Sequence, residues 1–132
     1  MTDLSLDRAR GILDAALTAA HDAEVSFSIA VVDAGGHLKA FLSQDGAPLA
    51  SIDIALRKAR TAQLFKTPTG TLGQYSQPGG ALYNIELTNG GLVTFPGGVP
   101  LMAGTTLLGA IGVSGGLNEQ DLSIATAGAA AL

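Results

Sequence analysis

From Leu6 to Ala23 apolar residues return every three or four positions, at Leu6, Ala9, Ile12, Leu13, Ala16, Leu17 and Ala20. That spacing predicts one amphipathic helix. Ser5 is placed to cap it, and Asp7 falls in the first turn, where the positive end of the helix dipole favours an anion. The rhythm then changes. Val25–Asp33 is rich in β-branched residues and partly alternating, which predicts a strand. Gly35-Gly36 is a two-residue hairpin signal, so the chain is expected to return as a second strand over His37–Gln44.

Helical spacing resumes over Pro48–Leu64, where Ile52, Ala55, Leu56, Ala59 and Ala62 form a stripe and Asp53 and Arg57 lie one turn apart. Thr67-Pro68 matches a cap followed by proline at the first helical position, predicting a short helix to Gln74. Tyr75–Asn89, bounded by glycine turns, reads as loop with a short helical turn inside it. Leu92–Phe95, Val99–Ala103 and Thr106–Ser114 read as three more antiparallel strands. Asn118 is the expected cap of a last helix with Leu122, Ala125, Ala129 and Leu132 on one stripe. The expected order is α-β-β-α-α-β-β-β-α. It describes an α+β fold with a five-stranded antiparallel sheet flanked by helices. With 132 residues, no internal repeat and no linker, residues 1–132 are expected to form a single domain.

Composition adds an expectation about partners. Charged residues are 14% of the chain, against about 25% in an average protein, and mean hydropathy is positive at +0.37. Such a chain is not disordered. The shortage of polar surface points to apolar surface covered by sister subunits, hence a homo-oligomer. Seven scattered basic residues and a net charge of −4 argue against nucleic acid, which needs a basic patch. Cysteine is absent, which excludes disulfides, thiolate nucleophiles, iron–sulfur clusters and thiolate zinc sites. No apolar run is long enough to span a membrane. Met1-Thr2-Asp3-Leu4-Ser5 lacks the cationic region of a signal peptide, so the expected location is cytoplasmic.

Few residues could carry chemistry. Gly112-Val113-Ser114-Gly115-Gly116 fits the G-x-S-x-G nucleophile elbow, but both histidines lie far upstream of Ser114 and a hydrolase sheet needs a longer chain. The reading preferred for it is a glycine turn between strand and helix, with Gly115 and Gly116 available to line a pocket where a flat ligand meets the backbone. The imidazoles are His21 and His37. They lack the spacing of a zinc site, but a haem needs only one strong axial ligand. His21, in the last turn of the first helix, also suits a helix-capping role; His37 suits a solvated strand end. Glu86, among aromatic and glycine residues with Tyr83, would be functionally loaded if partly buried. Glu119 and Asp121 charge the start of the last helix, Asp33 precedes the hairpin, and Asp45-Gly46 is a turn pair. Lys58, beside an apolar stripe, reads as solvated, or as the partner of an anionic group such as a propionate.

Taken together, Ser28–Leu38 with Asp33-Ala34-Gly35-Gly36-His37, Asp45-Gly46-Ala47, Lys58-Ala59, Pro78-Gly79-Gly80 with Tyr83, Gly97-Gly98-Val99-Pro100-Leu101, Ile111–Gly116 and Glu119-Gln120-Asp121 closely resemble the GlcG/HbpS family. The resemblance runs from Leu6 to Leu132. It implies a five-stranded antiparallel sheet flanked by helices, assembly into dimers and up to octamers, and haem as the cofactor, in some members with haem degradation or redox-stress sensing. In PduO-type domains the resemblance implies an axial histidine on the first helix, the region of His21.

Three readings follow. The leading one is an oligomeric haem-binding protein, with His21 as first-choice and His37 as second-choice iron ligand, Lys58 as propionate partner, and Tyr83, Gly115 and Gly116 at the cofactor. The second is an enzyme or accessory factor for a small organic metabolite, with Asp33, Tyr83, Glu86 and Glu119 lining the pocket and Glu86 and Glu119 as acid–base groups. The third is a structural oligomeric partner without ligand chemistry.

Overall fold

The structure is a computed structural model and describes residues 3–132. Helix α1 (Leu6–His21) begins as expected: Ser5 Oγ accepts the Arg8 N–H at 3.2 Å. Strands β1 (Ser28–Asp33) and β2 (Leu38–Ser43) follow, joined by the glycine turn in which Gly36 takes a φ of +83°. Helix α2 spans Ala50–Phe65 and the short α3 spans Thr69–Gly73. A loop with a single helical turn at Ile85–Leu87 leads to β3 (Gly98–Ala103), β4 (Thr106–Ser114) and α4 (Asn118–Ala129). Leu117, not Asn118, is the capping position of α4, with the Gln120 side chain accepting the Leu117 N–H at 2.8 Å.

The sheet corrects the expected strand count. It has four antiparallel strands in the order β2-β1-β4-β3, not five. Leu92–Phe95 is the expected strand that does not form. Leu92 and Val93 are buried and Phe95 is partly exposed, but the backbone groups of the segment bond elsewhere. The Leu92 N–H goes to the Glu86 carbonyl at 2.9 Å, the Val93 N–H to Thr61 Oγ1 at 3.1 Å, and the Phe95 carbonyl accepts Thr69 Oγ1 at 2.8 Å. Threonine hydroxyls at α2 and α3 thus satisfy the groups that a neighbouring strand would have taken.

Alternation along β1 and β4 divides the interior into two layers. Ile29, Val31, Ile111 and Val113 pack with Ile12, Ala16, Phe27 and Ile124 beneath α1 and α4. Ala30, Val32 and Ala110 face Ala55, Ala59 and Ala62 of α2. On the α2 side the backbones approach closely. A methyl group at Gly112 would strike the Ala55 carbonyl, and one at Gly98 would strike Lys58 and Thr69. Strand β1, buried along its whole length, is the centre of both layers.

Candidate functional site

His21 ends α1 one turn beyond Leu17 on the same helix face. It is exposed and borders an open cleft of about 480 Å³ between α1 and the edge strand β2, with Leu17, Leu42, Ser26, Ser43, Gln44 and Asp45. Its ring hydrogen-bonds to no other described residue. Ser43 Oγ accepts the Ser28 hydroxyl at 3.0 Å, which leaves its own proton free to donate. Gln44 is held by its side-chain oxygen, which accepts the Phe27 N–H at 2.8 Å.

Lys58 is not the solvated residue expected of it. Its side chain is 0% exposed, and Nζ lies 2.9 Å from Asp121 Oδ2 and 2.8 Å from the Val113 carbonyl, over the Phe95 ring at 4.9 Å. Asp121 Oδ1 in turn accepts the Gly116 N–H at 3.0 Å. The pair ties α2, β4 and α4 together. Burial pushes the Lys58 ammonium below its ordinary pKa and the Asp121 carboxyl above its own, against the opposing pull of their mutual bond. The expected propionate partner is therefore engaged inside the fold. Small residues beside it, Ala55, Ala59 and Ala62, are the only sequence signal of that close packing.

Glu86 lines a second cleft, of about 460 Å³, with α3, the extended segment before β3, and Asn118. Its Oε2 accepts the Thr94 hydroxyl at 3.0 Å; its Oε1 is buried with no hydrogen-bond partner. Glu119 lies elsewhere, in a groove between α1 and α4 with Ala19, Asp22 and Ser123. Asp33 Oδ1 accepts the Gly35 and His37 N–H groups at 3.0 and 2.9 Å and sits 3.1 Å from His37 Nδ1, so this pair closes the hairpin. Tyr83 is exposed on the loop. The structure does not bring Asp33, Tyr83, Glu86 and Glu119 together.

Gly115 and Gly116 serve packing. A methyl group at Gly115 would meet the Ser26 carbonyl, and one at Gly116 would meet Gln120 and the Phe27 ring. Ser114 is buried at the end of β4, and neither histidine hydrogen-bonds to it. Sequence reasoning missed Leu17, Leu42 and Ser43 at the His21 cleft and Thr94, Gln74, Gln77 and Asn118 at the Glu86 cleft. Among the described residues, no group of three or more histidine or carboxylate side chains could hold a metal ion, and no helix is long and apolar enough to cross a membrane.

A family model described as haem degrading protein HbpS-like matches residues 4–130. The chain belongs to the HbpS-like family. It is 39% identical over 130 residues to the corrinoid adenosyltransferase PduO of Citrobacter freundii, a match that covers 98% of this chain and 39% of that protein. The chain thus spans well under half the length of that relative. Among solved structures it is similar to a PduOC:heme complex, with a TM-score of 0.93, 37% identity, and coverage of 98% of this chain and 95% of that one. It is also similar to a double mutant of HbpS from Streptomyces reticuli, with a TM-score of 0.91, 34% identity, and coverage of 100% of this chain and 88% of that one.

The residues at the His21 cleft fit a haem in kind. An exposed imidazole is a sufficient axial ligand, and Leu17 and Leu42 offer apolar surface beside it. Hydroxyl and amide groups at Ser26, Ser43 and Gln44 line the polar side. The cleft is open, so one chain covers only part of a flat macrocycle.

Proposed function

We propose that this HbpS-like chain binds haem in the cleft between α1 and β2, with the His21 imidazole as the axial ligand. The observation that carries this reading is a free, exposed imidazole beside apolar side chains, in a chain similar over nearly its whole length to a protein crystallised with haem. Leu17 and Leu42 would contact the macrocycle, and the Ser43 hydroxyl is free to donate to a propionate. Bound haem supplies an iron centre whose reactivity depends on its axial ligand and on the polarity around it. His37 is the second candidate: its Nδ1 bond to Asp33 leaves Nε2 free to ligate, but it lies at the hairpin, away from Leu17 and Leu42. Glu86 and Glu119 take no part at this cleft.

The uncovered face of the macrocycle calls for a second copy of the chain. Strand β2 is an edge of the sheet, Leu38 is 53% exposed upon it, and the chain carries few charges to solvate such a surface. A homo-oligomer in the cytoplasm, where a chain without cysteine has no need of an oxidising compartment, completes the reading.

A haemin titration followed by absorbance tests it, on the wild type, His21→Ala and His37→Ala. The wild type and His37→Ala should show the same saturable Soret shift, and His21→Ala should bind at least about tenfold more weakly. Equal binding by all three would remove His21 as the ligand. A shift that never saturates would remove haem binding itself.

A further inference from the structure

Two arginines of α2 meet the loop that precedes β3. Arg57 and Arg60 lie three residues apart and so project from one helix face. Both guanidinium groups reach the turn at residues 88–91. A β-carbon at Gly91 would strike Arg57 Nη1, and one at Gly90 would sit 3.9 Å from Arg60 Nη1. The Gly91 N–H closes the turn by donating to the Thr88 carbonyl at 2.9 Å, with Asn89 and Gly90 at φ of +54° and +76°. Positive φ at both central residues is the form that Asn-Gly favours.

The two arginines differ in their partners. Arg57 donates from Nε to Asp53 Oδ2 at 2.8 Å and from Nη1 to the Gly90 carbonyl at 2.7 Å. Arg60 is half-buried and, among the described residues, has neither a hydrogen-bond nor an ion-pair partner. A guanidinium carries five N–H donors and no acceptor, and withdrawing it from water unpaired is costly. The carbonyls of the loop are engaged. Ile85 accepts the Thr88 N–H and hydroxyl, Glu86 the Leu92 N–H, and Gly90 the Arg57 guanidinium. The Glu86 carboxylate is turned to the Thr94 hydroxyl. The Asn89 and Gly90 N–H groups, in the exposed turn, also meet no acceptor among the described residues.

Donors thus gather at one surface without an acceptor to match them. Asp53 balances the charge of Arg57, which leaves that of Arg60. A cation would be repelled there, and a neutral ligand would leave the charge unanswered. An oxyanion is an acceptor alone, and the planar fork of a guanidinium takes carboxylate or phosphoryl oxygens in pairs.

We propose that Arg60, with Arg57 Nη2 and the Asn89 and Gly90 N–H groups, forms a binding site for the carboxylate or phosphoryl group of a small ligand. This site is built from α2 and the loop before β3, whereas the His21 cleft lies between α1 and β2. Its occupancy does not depend on haem.

The test titrates sodium phosphate and, separately, sodium acetate into isotopically labelled protein, followed by NMR at fixed pH and at an ionic strength held constant with sodium chloride. Saturable shifts are expected at the Asn89 and Gly90 amides and the Arg60 Nε–H with at least one of the two anions, and the preferred anion tells a phosphoryl ligand from a carboxyl one. Arg60→Gln should weaken binding by about tenfold or more, the scale of a lost charge-assisted hydrogen bond, with haem affinity unchanged. Arg60→Lys, which keeps the charge and loses the fork, should fall between the two. Asn89→Asp adds a negative charge at the turn, in a conformation that aspartate tolerates, and should also weaken binding. It decides the matter if Arg60→Gln fails to fold. No saturable shift with either anion would overturn the proposal. So would equal affinity in Arg60→Gln or undiminished binding in Asn89→Asp.

Discussion

The two faces of the sheet are built on opposite principles. Beneath α1 and α4, large side chains interlock: Phe27, Ile12, Ile29, Ile111 and Val113 are all fully buried. Beneath α2 the packing residues are alanines, and glycines at 98 and 112 let the helix backbone approach the strands directly. A layer of small residues has little volume of its own to hold α2 in place. The buried pair of Lys58 and Asp121, with the Thr61 and Thr69 hydroxyls, supplies directional contacts there instead. Bulk on one face tolerates small changes of shape. Close approach and buried polarity on the other do not.

Breaking the pair should give the largest effect. Lys58→Met leaves Asp121 buried without its cation and should cost about 3–5 kcal/mol in denaturant unfolding. Lys58→Met with Asp121→Asn, which keeps an acceptor for Gly116, should recover most of that loss. If the double variant is no more stable than the single one, the pair is not the relevant unit. Gly112→Ala should follow at about 3 kcal/mol, since the atoms it would strike are the Ala55 carbonyl and Ala59 backbone rather than a movable side chain. Ile111→Val, one residue away but facing α1 and α4, should cost only about 1 kcal/mol. Reversal of that order, read from urea midpoints, would overturn the contrast between the faces.

The smallest effect lies in pH. Asp121 has a raised pKa when folded, so just above the ordinary carboxylate range the native chain binds more protons than the unfolded one, and this group adds stability as pH falls. Lys58 has a lowered pKa, so the native chain binds fewer protons below the ordinary lysine value, and this group adds stability as pH rises. Measured against the Lys58→Met, Asp121→Asn variant, the wild type should therefore be least favoured near neutrality and gain toward both extremes. A difference that is flat with pH would remove the burial cost assigned to the pair.

Much of this fold was legible locally. The stripe from Ala9 to Ala20, the hairpin at Gly35-Gly36 and the run Thr106–Ser114 each declare an element through periodicity or turn chemistry, and the observed boundaries differ from those expected by a few residues at most. Leu92–Phe95 shows where that reading stops. Its composition is that of a strand, yet its backbone partners are the nearby Glu86 carbonyl and two threonine hydroxyls 32 and 26 residues away. The site residues divide in the same way. His21 stood out as one of only two imidazoles, but its neighbours Leu42 and Ser43 come from another element.

By itself, then, the sequence determined the α+β class, the helical and strand stripes, the hairpin, and the short roster of groups able to do chemistry. These depend on spacing along the chain, which is local. Only the tertiary structure decided the four-stranded sheet, the interior place of Lys58, the separation of Glu86 from Glu119, and the buried oxygen that Glu86 leaves without a donor. Lys58 meets an Asp121 that is 63 residues away. No periodicity encodes such a contact, because the burial of a polar group is set by what the rest of the chain brings to it.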